Sequence, residues 1–209
     1  KIERSAQPHF HAVGRSDRQS HRETECVFAI NALVVCSEGI RGIARVEVRV
    51  PPVEIGRRTI ADDGEAEDKR AAFRGEFGLG PDACLLLALG SGFATKGLDR
   101  TLRALAVVRR QHPALDVRLF VVGDGALARY QRLARRLGVW DQVQFFGGRA
   151  DAERFLLSAD VLVHPARRES GGIVLLEALA AGLPVVTTAN CGFAGAVVDA
   201  GAGTVLQEP

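Results

Sequence analysis

Two glutamates stand eight positions apart in Glu169-Ser170-Gly171-Gly172-Ile173-Val174-Leu175-Leu176-Glu177. A small-residue turn followed by an apolar run reads as a turn feeding a helix. The first-turn amides of a helix have no internal acceptors, and its dipole favours negative charge at that end. The amides of Gly172, Ile173 and Val174 are therefore candidate anion donors. Gly171 and Gly172 have no β-carbon, so a ligand can approach the backbone closely. If the segment is largely helical, eight residues at about 1.5 Å rise put the carboxylates roughly 12 Å apart. That separation matches the span from the sugar to the ribose in a nucleotide sugar.

A second word, Gly90-Ser91-Gly92-Phe93-Ala94-Thr95-Lys96-Gly97, follows an apolar run and invites two phosphate-binding readings. A dinucleotide fingerprint needs a third glycine where Thr95 stands, and no acidic residue follows the second strand in the usual place. A P-loop needs glycine before the lysine and Ser or Thr after it, and this chain has Thr95 and Gly97. What remains is a flexible loop bearing one lysine. Alone it reads as a surface lysine on a turn; together with the Glu169 turn it reads as the cation for a diphosphate. Glu177 sits among Ile173, Val174, Leu175 and Leu176, where burying an unpartnered carboxylate is costly, so a partner such as ribose is expected. Arg149, after Phe146-Gly147-Gly148, is either an exposed loop arginine or a ligand contact. His164 beside Pro165 reads as a packed strand-end histidine. No Asp-x-Asp metal motif is present, and His9-x-His11 has too few neighbours for a zinc site.

The elements that must position these residues are legible from position 83 onward. Continuous apolar runs predict strands at 84–89, 117–122, 142–146, 160–163, 184–188 and 203–206. Helices are predicted at 97–111, 126–137, 151–158 and 172–181, with a short one near 194–199. Such alternation means a doubly wound parallel α/β sheet, covered on both faces, with ligands beyond the strands' carboxyl ends. The Gly-Ser-Gly loop, Gly123, Arg149, His164 and Glu169 all fall on that edge.

Upstream the pattern weakens. A helix is read near 22–30, strand-like runs at 32–37 and 46–50, an exposed linker at 56–69 and a short helix at 69–77. The chain of 209 residues is 47% hydrophobic, enough for a substantial core, and its 27 basic and 25 acidic residues give no nucleic-acid signature. Cys26, Cys36, Cys84 and Cys191 are widely spaced and read as reduced, mostly buried thiols of a cytoplasmic protein. No apolar run approaches the roughly 18 residues of a spanning helix. The absence of methionine and the ends at Lys1 and Pro209 suggest an internal fragment.

The Glu-x7-Glu turn and helix, ending in Gly182-Leu183-Pro184-Val185, resembles the signature of retaining glycosyltransferases of the two-Rossmann-domain GT-B architecture, family 4. With Lys96-Gly97, Phe120-Val121-Val122-Gly123 and Thr187-Thr188-Ala189-Asn190-Cys191-Gly192-Phe193, it is similar to the branch that adds glucose to lipopolysaccharide-core heptose. The resemblance implies a C-terminal nucleotide-sugar domain at 81–209, a linker and short helix at 51–80, and an acceptor-domain remnant at 1–50. It implies a hexose, glucose from UDP-glucose, moved with retention onto a lipid-linked or other glycan acceptor. Lys96 would meet the diphosphate, approached also by the Ser91 and Gly92 backbone, and Arg149 would lie against the nucleobase. Glu169 would hold donor-sugar hydroxyls, and Glu177 would accept from the ribose. Lys96 and Glu169 are the residues expected to act in catalysis, with no cofactor and no metal. Family members often carry a basic residue where Thr95 stands, so the resemblance implies that part of phosphate binding is either lost or moved, to Arg167 or Arg168. Peripheral membrane contact, at the inner face of the bacterial inner membrane, would run through the N-terminal domain. Two other classes stay open: a non-catalytic nucleotide-binding module, and an NAD-dependent dehydrogenase disfavoured by the broken glycine pattern.

Overall fold

The computed structural model describes residues 64–207. The acceptor-domain remnant, the elements expected at 22–30, 32–37 and 46–50, and most of the linker lie outside the described residues. The chain alternates helix and strand: α1 (Gly64–Glu76), β1 (Cys84–Leu89), one-turn α2 (Phe93–Lys96), α3 (Leu98–Gln111), β2 (Val117–Val122) and α4 (Leu127–Leu137). A 3-10 turn (Trp140–Gln142) leads into β3 (Val143–Gly147), α5 (Ala152–Ser158), β4 (Val161–His164) and α6 (Ile173–Ala180). Last come β5 (Val185–Thr188), α7 (Ala194–Asp199) and β6 (Gly203–Leu206). The strands form one parallel sheet in the order β3-β2-β1-β4-β5-β6, the doubly wound arrangement expected.

Alternate strand residues build two cores. Leu86, Leu119, Val121, Val161 and Val163 face Leu102 and Leu105 of α3 and Leu133 of α4. Leu85, Leu87, Phe120 and Leu162 face the other way, onto Phe73 of α1, Phe155 of α5, Leu175 of α6 and Val197 of α7. Burial on both faces explains why the strands read as unbroken apolar runs. Phe73, Phe77, Phe120, Phe146 and Phe155 meet edge-to-face at centroid separations of 4.8 to 6.2 Å.

Helix α1 begins at Gly64, within the stretch expected to be an exposed linker. Its Glu-Ala-Glu-Asp-Lys composition is charged, which suggests a linker, but Glu, Ala and Lys are strong helix formers and acids suit the first turn. An ionic cluster then fastens this polar helix to the sheet. Arg70 and Arg74 reach opposite oxygens of Asp160 at 2.6 and 3.0 Å. The second oxygen also accepts from the Leu85 amide at 2.8 Å. Arg74 is buried and donates further to the carbonyls of Ser158 and Ala83. Burial alone would raise the Asp160 pKa, but the two guanidinium charges and the Leu85 amide outweigh it and hold it below the ordinary value.

Asp160→Ala leaves buried Arg74 without its counter-charge, so we expect a loss of about 3 kcal/mol, seen as a lower urea midpoint at unchanged slope. A midpoint equal to that of the wild type would exclude Asp160 from the anchoring. A second expectation concerns His164, which closes β4 and is 2% exposed. Burial first, and the Lys96 ammonium second, push its pKa from 6.5 down to about 4. The unfolded chain thus takes up a proton near pH 6.5 that the folded chain refuses until about pH 4, and stability falls as pH drops through that window. His164→Gln should flatten the urea-derived stability across the same window. Losses from depressed carboxylates such as Asp160 begin only near their ordinary value of 3.8 and below. An unchanged slope in His164→Gln would refute this assignment.

Candidate functional site

Every strand of a parallel sheet presents its carboxyl end to the same edge. The strand order reverses between β1 and β4, which pair directly through Leu86 with Val161 and Leu87 with Leu162. The loops leaving these two strands run in opposite directions across the sheet and leave a crevice between them. One loop carries Lys96, and the other carries Glu169.

After β1, the chain does not form the flexible loop expected around Lys96. It makes the single helical turn of α2, flanked by Gly92 and Gly97. The turn is anchored by Phe93, whose buried ring meets Tyr130 edge-on at 5.6 Å. The neighbouring loops are stitched to it. Asp124 N–H donates to Ser91 Oγ at 3.0 Å, Gly92 N–H donates to Asp124 O at 3.1 Å, and Gly148 N–H donates to Asp124 Oδ1 at 3.0 Å. Beneath them Gly123 packs on Gly90, and a β-carbon at Gly123 would lie 2.5 Å from the Gly90 carbonyl oxygen.

After β4, the chain continues the parallel pairing beyond the sheet. Glu169 bridges to Cys191, its N–H donating to Asn190 O and its carbonyl accepting from Gly192 N–H, both at 3.1 Å. Thr187 and Thr188 hydroxyls donate to the carbonyls of His164 and Ala166 at 3.0 and 2.5 Å. The Thr-Thr-Ala-Asn-Cys-Gly-Phe word thus acts as the support that holds Glu169 in place. Gly172 then caps α6, whose first amides, of Ile173 and Val174, open towards the crevice edge of the sheet.

Across the crevice the Lys96 ammonium pairs with Glu169 Oε2. Their side chains are 24% and 15% exposed, so the pair is partly desolvated. His164 Nε2 lies 3.7 Å from the same carboxylate oxygen and has no hydrogen-bond partner. Two residues expected on different parts of a ligand are therefore in contact with each other.

The remaining expected residues fall as follows. Ser91 and Gly92 line the exposed mouth of the crevice beside Lys96. Gly171 is half-buried, and a β-carbon there would meet the Phe193 ring at 3.7 Å. Arg149 lies just beyond the end of β3, exposed and doubly bonded to Asp151 at 2.8 Å. Glu177 is exposed, as are Ile173 and Leu176 of the same helix, while Leu175 and Ala178 face the core. The burial cost expected to demand a partner for Glu177 therefore does not arise; the pattern of an apolar helix hid an open face. Arg167, considered for phosphate, is engaged by Asp99 through two bonds of 2.7 Å. Burial would raise the Asp99 pKa, but the Arg167 bonds and charge hold it below the ordinary value. Asp99 and Asp124 were not singled out by sequence reasoning; Asp124 follows the glycine after β2 and Asp99 is an acid in the first turn of α3, and neither position signals a partner. Cys84 and Cys191 are both buried, as expected. Among the described residues no group of three or more His, Cys, Asp or Glu side chains could hold a metal ion, and no helix is long and apolar enough to cross a membrane.

Comparison with known proteins matches this architecture. Residues 69–209 fit the family described as glycosyl transferases group 1. The chain is 46% identical over 144 residues to the lipopolysaccharide glucosyltransferase WaaG of Escherichia coli, covering 68% of this chain and 38% of that protein. A crystal structure of WaaG superposes with a TM-score of 0.65 at 45% identity, over 68% of this chain and 38% of that one. Anabaena HepE in complex with UDP-glucose superposes with a TM-score of 0.54 at 26% identity, over 60% of this chain and 35% of that one. The chain thus spans about two fifths of the length of the relatives it matches. By fold and by family match, this chain belongs to the group 1 glycosyl transferases, on the GT-B fold.

Proposed function

We propose that the crevice binds a nucleotide sugar, a UDP-hexose such as UDP-glucose, and that the complete enzyme transfers the hexose with retention to a lipopolysaccharide-core or similar glycan. The observation that carries this reading is the meeting of Lys96 and Glu169 at the switch point, beside the start of α6. The same fold in HepE is seen with UDP-glucose, and the WaaG relative is a lipopolysaccharide glucosyltransferase.

In this reading a donor diphosphate draws Lys96 away from Glu169 and also takes the Ile173 and Val174 amides. Ser91 and Gly92 approach it through their backbone, and Arg149 exchanges Asp151 for the base. Glu169, freed, accepts from sugar hydroxyls, and Glu177 accepts from the ribose on the open face of α6. Breaking the bond between the anomeric carbon and phosphate builds negative charge on the leaving diphosphate. Fixed donors on that side, the ammonium and the helix-start amides, stabilise the transition state without a divalent cation. Glu169 acts as a positioning and electrostatic group for the positive sugar. The acceptor is held by an N-terminal domain, which also makes any peripheral membrane contact, on the cytoplasmic side.

A thermal-shift titration with UDP, UDP-glucose, GDP, ADP and NADH, with and without EDTA, tests the donor site. A ligand at a hundred times its dissociation constant adds about 2.7 kcal/mol to folded-state stability. UDP and UDP-glucose should raise the melting temperature equally in the presence and absence of EDTA. Lys96→Ala should weaken UDP binding by about 1.5–3 kcal/mol, the range for a hydrogen bond to a charged group. Glu177→Ala should lose about 1 kcal/mol with either ligand. Stabilisation by NADH and not by uridine compounds would overturn the assignment. In the complete enzyme Glu169→Ala should abolish turnover, and an enzyme that never turns over UDP-hexose would point to a binding module instead.

A further inference from the structure

Arg167 pairs with Asp99, and it also donates bonds to the segment that carries Lys96. Its backbone N–H donates to Thr95 O at 2.8 Å, and its Nη1 donates to Ala94 O at 3.0 Å. Nη1 and Nη2 grip the two oxygens of Asp99, both at 2.7 Å. Residues 94 and 95 precede Lys96 and residue 99 follows it, so one arginine holds the segment on both sides of the lysine. Two positions further on, the same backbone becomes Glu169. Arg167 is held in turn from the β5 side, where Asn190 Nδ2 donates to its carbonyl at 3.1 Å. Beside it the two loops touch main chain to main chain: a β-carbon on Gly97 would lie 2.1 Å from the Pro165 carbonyl oxygen.

We propose that Arg167 is a positioning residue, which sets the separation of Lys96 and Glu169 and hence where a diphosphate can sit, without itself touching the ligand. This inference rests on the donor-site reading above. Two plainer roles compete with it. A direct phosphate contact would require the guanidinium to leave a two-pronged carboxylate grip and a carbonyl, three bonds for one anion. A purely structural ion pair would contribute little, because exposed pairs are worth only about 0–1 kcal/mol and the Arg167 side chain is 42% exposed. A residue with little effect on global stability, but with bonds on both sides of a single lysine, exerts its effect locally.

The test uses the 209-residue chain and two readouts. The first needs no ligand: the rate at which an amine-acylating reagent labels Lys96, followed by mass spectrometry, with Lys69 of α1 as internal reference. The second is UDP affinity by calorimetry. Arg167→Ala should raise the relative labelling of Lys96 several-fold, as its pairing with Glu169 loosens. It should weaken UDP about tenfold, the effect of one misaligned charge-assisted bond, with little change in melting temperature. Arg167→Lys, which keeps the charge but cannot grip both Asp99 oxygens, should behave like Arg167→Ala. In a Lys96→Ala background, Arg167→Ala should cost less than about twofold, because the residue it positions is gone. A tenfold loss that persists in that background would mean Arg167 contacts phosphate directly, and unchanged Lys96 labelling would reduce it to a surface ion pair; either result overturns the proposal. If the wild type binds no UDP, the donor-site reading fails by itself, and labelling alone then decides whether Arg167 positions Lys96.

Discussion

Parallel pairing of β1 with β4 is the constraint from which the site follows. Because the sheet grows outward from β1 to β3 and then resumes at β4 on the other side, the loops after β1 and β4 cannot cover one another. Lys96 and Glu169 are 73 residues apart in sequence and become neighbours only through that reversal. The two layers of helices, each bound to one face by an apolar core, exist on this account to keep the strands in register. A slip of one residue between β1 and β4 would turn the side chains of the slipped strand to the opposite face and move the loop that follows it.

Charge is distributed unevenly over this frame. At the amino end of β4, Asp160 is surrounded by two arginines and an amide, so that its negative charge is fully engaged by the fold. At the carboxyl end of the same strand, the ammonium of Lys96 and the carboxylate of Glu169 satisfy one another while His164 Nε2 stays unpartnered. The first cluster joins a helix to the sheet. The second joins the loops after β1 and β4 beside the start of α6. One four-residue strand therefore has an ionic cluster at each end.

The sheet was legible because buried parallel strands leave a simple trace: apolar runs such as Cys84–Leu89 and Val161–His164, bounded by glycine or proline. Helix boundaries from α3 onward were legible for the same reason, through amphipathic spacing. Lys96, Glu169 and the Gly172 cap could be placed on one edge from chain order alone. What sequence could not show was pairing. That Arg167 belongs to Asp99, 68 residues away, and Arg149 to Asp151, two residues on in the same loop, depends on side-chain reach and leaves no periodicity. The exposure of Glu177 was missed because Ile173, Leu176 and Glu177 share a face that no other described element covers, so apolar residues there imitate a buried stripe. Helix α1 was read too short because its first turns are charged, and charge signals a linker as readily as a solvated helix.

Beneath the loops that carry the site, the contact of Gly123 with the Gly90 carbonyl is made by main chain alone. An alanine scan, which works by deleting side chains, has nothing there to remove. Tolerance measured in that way would make this contact look indifferent, although a β-carbon added at Gly123 collides with the Gly90 peptide group. Its importance registers only when mass is introduced, so the most constrained part of this site is the part that a deletion survey would leave unmarked.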